Sequence, residues 1–179
     1  MKSALLIIDV QRGLFDRDPR PLEADEVIQR INYLAQLARD AAAPVIFIQH
    51  ERPGSALEYQ SEDWQLASGL ASNVGDLFVR KTTPDSFLHT NLHEILQAAG
   101  VEHLVVSGYA CEFCVDTTTR RGAALGYSVT VVSDGHTTHD KPHATAASIR
   151  AHENATLPNL TSFGPVISAV GSAQVRFRA

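Results

Sequence analysis

Residues 103–132 read HLVVSGYACEFCVDTTTRRGAALGYSVTVV. The run 103–107 (HLVVS) is short, apolar and rich in valine, as a buried strand is. Residues 112–125 follow as a helix that stops at Gly126, and 128–132 (SVTVV) is strand again. A strand, a helix and a strand in one continuous stretch make a βαβ unit, so the two strands lie parallel.

The same alternation continues on both sides. Residues 4–8 (ALLII) form an unbroken apolar run, expected of a strand covered on both faces. Val27, Ile28, Ile31, Leu34, Ala35 and Ala38 then recur at helical spacing. Pro44 closes that connection, and 45–48 (VIFI) is a second buried strand; 77–79 suggests a shorter third. Leu92, Ile95, Leu96 and Ala99 mark a helix with Thr90 as its cap and Gly100 at its end. Pro142 is placed to start a helix running to Glu153. A sixth strand is expected near 160–163 and a short last helix from Pro165. Residues 51–75 lack periodicity and read as a long surface loop, a class that is functional or mobile in compact domains. The pattern is that of one α/β domain spanning residues 1–179.

At 179 residues and 44% hydrophobic composition the chain can bury a sizeable core. A net charge of −5 without a dense Lys/Arg stretch disfavours nucleic acid or an anionic membrane as partner. No apolar run reaches the ~18–20 residues of a membrane span. Two cysteines make no disulfide framework, and a reducing cytoplasmic compartment is the expectation.

In open parallel sheets, ligands bind beyond the carboxyl ends of the strands. The first strand ends in Asp9, the third is followed by Arg80 and Lys81, and the fourth by GYACEFC, residues 108–114. A carboxylate, an ammonium and a thiol at three such ends supply a base, a cation and a nucleophile. Cys114 falls in the first turn of the helix after the fourth strand. There, unpaired N–H groups and the helix dipole lower a thiol below its free pKa of ~8.5. Each residue also has a plainer reading: Cys114 as a small core hydrophobe, Asp9 as a cap, Lys81 as a solvated charge.

Four stretches carry a resemblance. LLIIDVQRGLFD (5–16) supplies an apolar strand followed by Asp9, and RKTTPDSF (80–87) places Lys81 with Phe87 behind it. VVSGYACEFCVDTTTRRGAALGY (105–127) gives strand, glycine, Cys-Val, helix and Gly-Tyr. VTVVSDGHTTHD (129–140) completes the series. In these the sequence resembles the isochorismatase-like cysteine hydrolases, a superfamily that includes nicotinamidases, N-carbamoylsarcosine amidohydrolases and isochorismatases. The resemblance implies a three-layer Rossmann-like fold with a six-stranded, mainly parallel sheet in the order 3-2-1-4-5-6. It implies Asp9, Lys81 and Cys114 as catalytic triad, a cis peptide at Tyr109–Ala110, and an oxyanion site made by the N–H groups of Ala110 and Cys114. It also implies an amide-type reaction through a thioester, and a homo-oligomer acting on a small molecule.

Metal-dependent nicotinamidases of this superfamily carry Asp-x-His after the second strand. Here IQHERPGS (48–55) has His50, but Gln49 and Glu51 do not complete that site. No metal or other cofactor is therefore expected, and the chain looks closer to the metal-free branch with streptothricin-hydrolase-like members. Phe15, His50, Trp64, Phe87, Tyr109 and Phe113 are candidates for the substrate pocket, with core packing as the alternative for each aromatic. His136, His139 and His143 lie close in sequence, but without an opposed ligand set they read as a polar loop. Arg120 and Arg121 read as a solvated or subunit-facing patch.

Three other functions stay open. Vinyl ether hydrolysis, the isochorismatase reaction, runs without the cysteine step. Cys111-Glu-Phe-Cys114 is a C-x-x-C at a strand-to-helix junction, as in thiol–disulfide oxidoreductases. A non-catalytic binding module on the same fold is the third, although neither G-x-G-x-x-G nor a P-loop occurs.

Overall fold

A computed structural model describes residues 1–178. Six strands form one sheet: β1 (Lys2–Ile8), β2 (Val45–His50), β3 (Leu77–Lys81), β4 (Val101–Tyr109), β5 (Ser128–Thr137) and β6 (Ile167–Val170). Their order is β3-β2-β1-β4-β5-β6, and every neighbouring pair is parallel. The chain builds outward from β1 in one direction and from β4 in the other. The crevice beyond the carboxyl ends of β1 and β4 is thus the switch point where such sheets bind ligands.

Side chains alternate along β1. Ala4, Leu6 and Ile8 pack with Leu92, Leu96, Leu104 and Ala123 on one face. Leu5 and Ile7 pack on the other with Val27, Ile31, Leu34 and Ala38. Covering both faces explains why the strand is apolar throughout. The second set comes from α2 (Ala24–Asp40), whose buried stripe is the periodic one read from the sequence. Each fully buried aliphatic side chain contributes about 1.5–3 kcal/mol of transfer free energy. A short α1 (Arg12–Phe15) precedes α2, while α3 (Leu92–Ala98) and α4 (Asp116–Ala124) cover the opposite face. No described helix is long and apolar enough to cross a membrane.

Several boundaries differ from the sequence reading. The sixth strand is not at 160–163, where Thr161–Phe163 is a 3₁₀ turn ended by Gly164 at φ 96°. β6 comes after Pro165 instead, and the last helix is only a 3₁₀ turn, Ser172–Gln174. Proline's missing donor costs little beside an edge strand. The helix expected from Pro142 is α5 (Ala146–Thr156). Thr145 Oγ1 accepts the Ser148 N–H, and Asp140 Oδ1 accepts that of Ala146, so the cap lies after the proline. At α3 the cap position is Asn91, although Thr90 Oγ1 accepts the Leu92 N–H. The helix after β4 opens as a π-helical turn, Cys111–Val115, before α4 begins.

Residues 51–75 contain no helix or strand of the sheet, but they are stitched down. Gln11 pairs with Leu66, Arg12 N–H donates to Gln65 O, Gly13 N–H to Asp63 O, and Ala67 N–H to Val10 O. Two buried glutamines, Gln11 and Gln49, both donate to Trp64 O (2.9 and 3.0 Å).

Candidate active site

Asp9 follows the last residue of β1 with φ 53°, in the left-handed region that aspartate tolerates better than most residues. Its N–H donates to Ile48 O and its carbonyl accepts from Gln11, so the turn is fixed on both sides. Lys81 ends β3 on the same side as buried Val79, and its side chain is fully buried. The strand expected to end at Val79 runs two residues further, because Gln49 pairs with Arg80 and His50 with Lys81. Cys114 is carried by the π-helical turn behind the cis peptide Tyr109–Ala110. Gly108, at φ 117°, lets β4 approach β1, where its register partner is Ile8.

The three side chains meet. Lys81 Nζ donates to Asp9 Oδ2 (2.7 Å), Thr83 O (3.1 Å) and Cys114 Sγ (3.2 Å), and His50 Nδ1 lies 3.3 Å away. Asp9 Oδ1 is buried with no hydrogen-bond partner among the described residues. Burial pulls the Lys81 ammonium down, but Asp9 and Cys114 outweigh it and hold the net pKa above its ordinary value. Burial first and the Lys81 charge second keep His50 below its usual range, hence neutral.

The thiol differs from the expectation. Burial, reinforced by Asp9, pushes Cys114 up to about 12, and Lys81 offsets only part of that rise. A regular helix N-terminus was the reason to expect a lowered value. A desolvated π turn facing a carboxylate gives the opposite result.

Asp9, His50, Ala110 and Cys114 line a hollow of about 220 Å³. Its walls are Leu14, Leu57, Pro84, Tyr109 and Phe113. Wider surface hollows beside Arg17 and beside His89 contain neither Asp9 nor Cys114. Of the pocket candidates, His50, Tyr109 and Phe113 face this hollow. Phe15 and Phe87 do not: the first is fully buried edge-on to Tyr109 and the second stacks on Tyr127, because both complete the packing of the sheet faces. Trp64 stands edge-on to Tyr59 in the stitched loop, outside the lining. Leu14, Leu57 and Pro84 were missed. Pro84 lies only three residues beyond Lys81, which was the available signal; Leu57 had none.

The residues after β2 do not fit a metal. Gln49 gives its amide to Trp64 O, Glu51 pairs with Arg80 (2.9 Å), and His50 Nδ1 faces an ammonium. The three downstream histidines are dispersed. His136 is fully buried between Cys111 Sγ (3.0 Å) and Asn154 Oδ1 (2.8 Å). His139 joins Tyr109 Oη to Pro19 O, and His143 is exposed. Among the described residues no group of three His, Cys, Asp or Glu side chains could hold a metal ion. The C-x-x-C pair is likewise divided, with both cysteines as free thiols. Cys111 is fully buried on His136, whereas Cys114 contacts Lys81. Arg120 pairs with Asp116 within α4, and Arg121 lies 3.7 Å from Asp85.

Residues 3–169 match the isochorismatase domain family model. The chain is 36% identical over 143 residues to a streptothricin hydrolase of Streptomyces noursei, covering 79% of this chain and 52% of that one. It thus spans about half the length of that relative. It is 36% identical over 84 residues to the ureidoacrylate amidohydrolase RutB of Caulobacter vibrioides, 47% of this chain and 37% of the relative. The crystal structure of an isochorismatase family protein superposes with a TM-score of 0.86 at 34% identity, over 94% of this chain and 98% of that one. The chain belongs to the isochorismatase domain family.

Proposed function

We propose that the protein is a cysteine-dependent hydrolase of small-molecule amide-type C–N bonds, working through a thioester. The observation that carries this reading is Lys81 Nζ standing between Asp9 Oδ2 and Cys114 Sγ, two residues that line one hollow. The names of the two curated relatives, one an amidohydrolase, support the choice of bond.

With the thiol protonated at rest, Asp9 is the base: it takes the Cys114 proton as sulfur attacks the carbonyl carbon, and Lys81 compensates the charge. The N–H groups of Ala110 and Cys114 hold the oxyanion, each such donor worth about 10²–10³ in rate. Asp9 returns the proton to the departing nitrogen, and the C–N bond breaks to leave the thioester. Water, losing a proton to Asp9, adds to that carbonyl; the carboxylic acid leaves and the proton returns to sulfur. The net change is amide plus water to acid plus amine.

The test is a screen of small amides, carbamoyl compounds and lactams against the wild-type chain and Cys114→Ala. Turnover lost by at least about 10³-fold in the variant, with an acyl adduct on wild-type Cys114 by mass spectrometry, is the expected result. Amide turnover retained in Cys114→Ala sinks the reading.

A further inference from the structure

We infer that the part of the substrate entering the hollow is uncharged and largely apolar. This rests on the hydrolytic reading above and adds a substrate class to it.

The charges at the site are already matched to one another. Lys81 is fully buried and paired with Asp9 through Oδ2, so the two charges offset one another, and Asp9 Oδ1 remains as a hydrogen-bond acceptor for an uncharged donor. Nothing else that lines the hollow is ionic: His50 is held neutral by burial and by Lys81, and the walls are Leu14, Leu57, Pro84, Tyr109 and Phe113. Two nearby cations are also occupied. Lys141 sits 3.3 Å from Glu112 and over the Phe113 ring, while Arg80 holds Glu51 and lies over Tyr59. A carboxylate entering this space would lose its hydration without meeting an unpaired cation, and an ammonium would meet only the Asp9 carboxylate, whose charge Lys81 already offsets. At about 220 Å³ the hollow is smaller than the ~300–1,000 Å³ that holds a drug-sized ligand. A small carboxamide or lactam with an aliphatic or aryl substituent fits. A dicarboxylate does not, and charged parts of a larger substrate stay outside the half-exposed Phe113.

Size-matched thiol reagents read this without requiring hydrolysis. The full chain is treated with 2-hydroxyethyl, 2-sulfonatoethyl and 2-aminoethyl methanethiosulfonate, which are neutral, anionic and cationic. Modification of Cys114 is located by fragment ions, and each rate is divided by that of 2-mercaptoethanol. The neutral reagent should exceed both charged ones by at least about tenfold, the discrimination expected for burying an unpaired ion. Equal or faster reaction of either charged reagent overturns the inference, and so does a neutral reagent that never reaches Cys114. In Leu57→Lys the sulfonatoethyl rate should rise several-fold; an unchanged rate removes Leu57 from the wall and overturns the apolar lining. The Cys114→Ala turnover assay fails or succeeds independently of this series, so the reaction and the substrate class are judged separately.

Discussion

Gly108 and Ile8 face each other across the β1–β4 junction so closely that a Cβ on residue 108 would collide with the Ile8 backbone. Gly108 also sits at φ 117°, outside the range that side chains favour. Close approach of these two strands is what brings the Asp9 turn alongside the Cys114 turn.

Gly108→Ala is therefore expected to destabilise the protein by several kcal/mol, as clash and positive φ act together. Urea unfolding at pH 7 checks it. A change within about 0.5 kcal/mol would mean the strands can separate at no cost, and with them the two sides of the site.

Asp9→Asn separates two effects of one carboxylate. Asp9 raises the thiol pKa, so its removal should speed Cys114 alkylation near neutral pH. The same variant loses the proposed base, and amide turnover should fall by about 10²–10⁴-fold. A thiol that alkylates more slowly in the variant would show that Asp9 activates sulfur in the resting protein.

His136 gives the fold an acid limit. Burial first holds its pKa down to about 4 from 6.5, with Arg150 adding to the effect. A histidine depressed in the folded state contributes stability that is complete above pH 6.5 and lost as pH falls toward 4. The expected loss over that window is on the order of 3 kcal/mol. His136→Gln should flatten this limb of the stability–pH curve. A limb equally steep in the variant would assign it to other groups.

Glu153 works in the opposite direction. It is buried beside Asp116, and desolvation, then that charge, raises its pKa to about 7. A carboxyl raised in the folded state favours folding at pH below about 4.5, and that contribution disappears as pH rises through 7. Glu153→Gln should be more stable than wild type at pH 8 and gain less at pH 4.5. Thermal unfolding at the two values measures it, and an equal gain at both would show that ionisation of this side chain is not involved.

The sheet and the meeting of Asp9, Lys81 and Cys114 were legible because their signals are positional. β1 is apolar throughout, α2 repeats at helical spacing, and Asp9, Lys81 and Cys114 stand at or just beyond strand ends. The misplaced features lack such redundancy. β6 is four residues long at a sheet edge, and the run at 160–163 differs from it little in composition. Phe15 and Phe87 showed the limit of residue type, since an aromatic near a motif serves core and cavity equally well. Leu57 was invisible because residues 51–75 are organised by particular hydrogen bonds, chiefly Gln11 and Gln49 to Trp64 O, which leave no periodic trace. The thiol pKa was misjudged because secondary structure suggested its sign, whereas desolvation and a neighbouring carboxylate set it.

The stitching of residues 51–75 onto the turn after β1 has a consequence for how such a protein diversifies. Asp9, Lys81 and Cys114 are held at or just beyond the ends of β1, β3 and β4, while Leu57 is held by a separate stretch whose fastenings are mostly main-chain. Replacing side chains along that stretch is therefore expected to reshape the hollow without moving Asp9, Lys81 or Cys114, so a differently shaped hollow is reachable in single steps by descent or by engineering.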